Sequence, residues 1–169
     1  VKDASTAVVR AVRSRLRDAR LRRHLRGLLR RLDLPLPLEV GLLCERLGQL
    51  RGTPIALLEW ELEPTGPSGM LVSRVDEDVI VFQSRTSRAH QAHIILHEVG
   101  HIVAQDLDGV ALPQPLLRTS YTARDERDAE VIASTIMHRA LSMTRRLDHV
   151  AQVGGRSVQS SLVLWDGWS

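Results

Sequence analysis

The stretch HIILHEVGHIV, residues 93–103, sets His97 and His101 four residues apart around Glu98. On an α-helix, side chains four apart project from one face a turn above each other, so two imidazoles can each place a nitrogen on a single ion. Glu98 is offset by one residue and points aside, where it reaches a water on the ion rather than the ion itself. The chemistry this pattern permits is metal-assisted hydrolysis. The cation acidifies the water and polarises a carbonyl, while the carboxylate takes the water's proton and later hands it to the leaving amine. The plainer alternative is two helix histidines that happen to lie a turn apart. Context weighs against it: Ile94, Ile95, Val99 and Ile102 surround the motif, and Gly100 lets a second backbone approach the histidine pair closely.

A hydrolytic zinc needs a third protein ligand and an open fourth position. Downstream, RDERDAEVIAS supplies Asp125, Glu126, Asp128 and Glu130. Ala129, Ile132, Ala133, Ile136, Ala140 and Met143 recur at helical spacing, and extending that stripe one turn back lands on Glu126. Glu126 is therefore expected to face inward as the third ligand. Glu130, one turn on and on an adjacent face, stays open as the alternative, and acids not used for metal complement the positive end of the helix. Tyr121, the single tyrosine, precedes this helix and can either donate to an oxyanion or make a packing contact. His93 stands a turn before the histidine pair, and Asp106 and Asp108 are placed to orient a histidine.

These residues need elements to hold them. A basic helical pattern runs from Ser5 to Leu32 with a shift of register near residues 18–20, read as two helices or one that rotates its contact. LDLPLPLEV interrupts it, and a second helix is expected over Leu38–Leu50. PIALLEW, GMLVS and DVIVFQ read as three short strands joined by turn-forming EPTGPSG and RVDED, which predicts a small antiparallel sheet. After His101, Gly109, Pro113 and Pro115 predict a long loop before a final helix over Ala123–Leu147. The order is α+β: helices, sheet, active helix, ligand helix. It divides into a basic segment (1–34), a catalytic domain (35–150) and a tail (151–169).

At 169 residues the chain fits a single core, and five aromatic residues mean that core must be aliphatic. Residues 1–31 carry a net charge of +9 and the remainder −6. Such asymmetry suits a solvated helix or an arm meeting an acidic surface. Nucleic acid ranks last among its partners, because the arm has no aromatic residues for stacking and no recognition helix. Cys44 is the single cysteine, which excludes an internal disulfide and a zinc site built on several cysteines and suits a reducing cytoplasm. No run approaches the ~18 apolar residues of a membrane span, and the N-terminus carries no apolar signal core.

HEVGH, followed 25 residues after its second His by ERDAEVIA, resembles the HExxH and ExxAxxFA pair of the ImmA/IrrE metallopeptidase family, over roughly residues 38–143. The resemblance implies a zincin-like fold, zinc on His97, His101 and Glu126, and Glu98 as catalytic base. It also implies a protein substrate such as a helix-turn-helix repressor or an antitoxin, or else a toxin component of a two-gene system that acts by binding. Ile132 stands where the family usually has Phe, Glu130 where Asn or Asp is common, and no LLMP follows the helix.

Overall fold

The structure is a computed structural model and describes residues 2–109, 116–118 and 121–153. The tail from Gly154, and residues 110–115 and 119–120 where a loop is expected, lie outside the described residues. The elements, in chain order, are helices α1 (Lys2–Leu32) and α2 (Val40–Arg51), strands β1 (Ile55–Trp60), β2 (Gly69–Ser73) and β3 (Asp78–Gln83), helix α3 (Arg88–Asp108), strand β4 (Leu116–Arg118) and helix α4 (Ala123–Val153). The class is α+β.

The sheet corrects the antiparallel expectation. Its order is β1-β3-β2-β4, and β1 pairs parallel with β3, Leu57 opposite Ile80, while β2 pairs antiparallel with both β3 and β4. Burial explains the order. Ile80, Val81 and Phe82 are all buried, so β3 takes an inner place, whereas Leu58 and Trp60 of β1 stay exposed at the edge. The connection over residues 61–68 is long enough to carry the chain past β3, and a tight turn with Arg74 N–H donating to Glu77 O then returns β2 to it.

Two further expectations change. The region after His101 is not all loop: α3 continues to Asp108 and stops at Gly109, which takes the left-handed conformation (φ 65°) that glycine adopts without strain, and β4 adds to the free edge of β2. The basic segment is one continuous helix. Its second half inserts Leu21, Leu25 and Leu32 into the core beside Leu43 and Leu47 of α2 and Ile132 and Ile136 of α4. Its first half leaves Val8, Val9, Val12 and Leu16 exposed.

The α3–α4 packing is close because Gly100 has no side chain. A Cβ there would lie 2.5 Å from the Ala129 carbonyl oxygen and 2.8 Å from its Cα. Backbone cannot yield as a side chain can, so Gly100→Ala is expected to destabilise by about 1–3 kcal/mol despite alanine's better helix propensity. Gly27→Ala, where nothing lies within 4 Å, should instead stabilise by up to about 1 kcal/mol. Thermal melts of the two variants should move in opposite directions.

Candidate metal centre

The N-terminal anchor of α3 is built locally. Ser87 caps the helix by accepting from His90 N–H at 3.3 Å, and the buried Gln91 amide donates to Glu59 Oε1, Gln83 O and Ser84 O at 2.9–3.2 Å. These bonds tie the first turn of α3 to the ends of β1 and β3. Nothing in the sequence separates Gln91 from other helix glutamines, and this anchor was not foreseen. At the start of α4, Thr122 and Asp125 cap reciprocally: Thr122 N–H and Oγ1–H donate to Asp125 Oδ2, and Asp125 N–H returns to Thr122 Oγ1. Asp125 thereby serves the helix end, as expected of the acids that do not ligate.

Between these anchors the structure brings His97, His101 and Glu126 together. His97 Nε2 lies 3.2 Å from His101 Nε2 and 3.2 Å from Glu126 Oε2, and His101 Nε2 lies 3.9 Å from Glu126 Oε1. Four-coordinate zinc with bonds of about 2.0–2.1 Å separates its ligand atoms by roughly 3.3 Å, so this donor set fits a tetrahedral zinc ion. His101 is almost fully buried, His97 partly so, and half of the Glu126 side chain meets solvent. Glu126 thus faces the histidines without being buried itself, and the site opens on its side. Glu130 is placed differently: its Oε2 is 3.8 Å from His97 Nδ1 and 3.8 Å from His93 Nε2, behind the imidazole rather than among the ligand atoms.

Glu98 is buried at 5% exposure, and its Oε2 accepts no hydrogen bond among the described residues. Burial, with the charge of Glu126 adding to it, pushes this carboxyl up to about 7. A dication held by the neighbouring ligands would favour the charged form and bring it down again. Gly69, at the start of β2, makes room for it: a Cβ there would fall 3.2 Å from Glu98 Oε1 and 2.4 Å from Ile94 Cγ2. The Tyr121 ring stacks on the His101 imidazole, centroids 3.5 Å apart and planes within 6°, and its hydroxyl is buried. The stacking holds the imidazole plane from one face.

Asp106 and Asp108 bond arginines rather than histidines. Asp106 pairs with Arg51 at 2.9 Å, and the same guanidinium reaches the buried Asp78 at 2.7 Å. Asp108 takes both terminal nitrogens of Arg17, which holds its carboxyl below the usual carboxylate range. Arg17 also reaches the buried Asp128.

The third-ligand geometry gives a direct expectation. Glu126→Ala should weaken zinc binding by an order of magnitude or more, and Glu130→Ala should weaken it less; equilibrium titration against a competing chelator measures both. Searches of family models, curated proteins and solved structures give no match to this chain.

Proposed function

We propose that the chain is a zinc-dependent peptidase of zincin-like architecture that hydrolyses a peptide bond in a cytoplasmic protein, with a transcriptional repressor or an antitoxin as the substrate class. The observation that carries this reading is the convergence of His97, His101 and Glu126 within zinc-ligand spacing, with the buried carboxylate of Glu98 one residue along the same helix. Zinc, when bound, supplies a Lewis acid that activates water and polarises the scissile carbonyl. Glu98 takes the proton of the attacking water and delivers it to the leaving amide nitrogen, and a cation on the neighbouring residues would favour the charged form that accepts it. Tyr121 keeps the His101 ring in its plane, and the open Glu126 side admits the chain to be cut.

The second reading is a zinc-bearing module that acts by binding. The exposed apolar residues Val8, Val9, Val12 and Leu16 on the basic α1 favour it. No helix among the described residues is long and apolar enough to cross a membrane.

The test is incubation of the zinc-loaded protein with the product of the adjacent gene and with an unfolded casein substrate, followed by mass spectrometry of new termini. Cleavage that stops with chelator and returns with zinc supports the peptidase. A partner captured intact, with casein untouched, favours the binding module.

A further inference from the structure

We propose that Arg17 of α1 is a positioning residue for this metal centre, clamping the end of α3 to the start of α4 so that Glu126 is held against His97 and His101. The inference rests on the zinc-site reading above. One guanidinium spans both ligand helices: NH1 and NH2 donate to the Asp108 carboxylate at 2.5 and 2.7 Å, and Nε donates to Asp128 Oδ2 at 3.0 Å. Asp108 lies two turns beyond His101 on α3, and Asp128 lies two residues after Glu126 on α4.

The two helices already meet at Gly100 and Ala129, where the backbones are nearly in contact. A close approach at one place leaves rotation about that place as the soft coordinate. Rotation is what would swing Glu126 away from histidines located on either side of Gly100. A second fixed point beside Glu126 removes that freedom. The Arg17 clamp is well made for it: the Asp128 side chain is 3% exposed and that of Arg17 13%, so the contact beside Glu126 is shielded from water, while the contact with the more exposed Asp108 is bidentate. Neighbouring contacts reinforce it, with Arg127 donating to Asp18 at 2.9 Å and Arg20 to the Leu107 carbonyl at 3.4 Å. The basic helix is thus tied by its charges to both helices that carry the ligands.

The experiment measures zinc dissociation constants by chelator competition, and the visible spectrum of the cobalt-loaded protein, for wild type, Arg17→Met, Arg17→Lys and Arg51→Met. Arg51→Met is the control because it breaks a comparable two-acid clamp, on Asp78 and Asp106, without touching α4. Arg17→Met is expected to weaken zinc about tenfold, the low end of what losing support around metal ligands costs, and to alter the cobalt bands. Arg17→Lys should recover part of the affinity, since an ammonium reaches one acid rather than two. Arg51→Met should leave both readouts near wild type. If Arg17→Met fails to fold, Asp108→Asn, which loosens only the α3 end, should still weaken zinc severalfold.

The proposal is overturned if zinc affinity in Arg17→Met stays within twofold of wild type, or if Arg51→Met weakens it equally. It is likewise overturned if Arg17→Met does not fold and Asp108→Asn binds as wild type does. Failure of the underlying site looks different: wild type itself would then bind no zinc that depends on His97 and His101.

Discussion

Glu98→Gln is expected to retain one zinc per chain and to lose hydrolysis by roughly 10²–10⁴-fold, the contribution of a positioned general base. The expectation follows from placement: Glu98 sits one residue off the histidine face, so the amide leaves the three ligands untouched and removes only the proton acceptor. The side chain is buried and isosteric with glutamine, so packing is preserved. A second readout separates this from unfolding. In the metal-free protein the folded carboxyl is raised from 4.5 to about 7, so the fold favours its protonated form. The stability associated with that form is full below about pH 4.5 and is lost as pH rises through about 7. Glutamine does not titrate. Metal-free Glu98→Gln should therefore gain on wild type in thermal stability between pH 5 and pH 8, while remaining inactive when loaded. A variant with unchanged activity would remove Glu98 from the mechanism.

Replacing both His97 and His101 by Ala is expected to abolish zinc binding, the largest effect expected of any substitution in the chain. The loss is measured as zinc content after dialysis and as the disappearance of the rise in melting temperature that zinc gives to wild type, which a ligand binding only the folded state must produce. The two histidines should contribute unequally to the fold. His101 is almost fully buried and stacked on Tyr121, so His101→Ala leaves a cavity and unstacks the ring, whereas His97 is partly exposed and its loss should lower the metal-free melting temperature less.

The centre was largely legible in the sequence because its signals are local. Spacing of four on an apolar helix places His97 and His101 together, and the stripe through Ala129 points one turn back to Glu126. Gly100 reads as a point of close approach, and the backbone that approaches it is that of Ala129. The sheet order was not legible in this way. Alternation identifies β1, β2 and β3 as strands, but pairing depends on which strand is buried on both faces, and that is a property of the assembled sheet. β4 carries almost no periodic signal, because it is three residues long and directly follows a proline. The role of α1 was hidden for a different reason. Arg17 is one of ten arginines in residues 1–31, and only the fold distinguishes the one that meets Asp108 and Asp128 from those that meet water. The leucine stripe of this helix is readable from its spacing and packs in the core, whereas the clamp made by one arginine of its charged face is not.

The claim that His97, His101 and Glu126 form one zinc centre is tested most directly by zinc K-edge X-ray absorption on protein loaded with one equivalent of metal. The expected spectrum has two imidazole nitrogens and oxygen ligands at about 2.0–2.1 Å and no sulfur at about 2.3 Å, with one imidazole lost in His97→Ala. A wild-type spectrum of oxygen ligands alone, without imidazole scattering, would contradict the account.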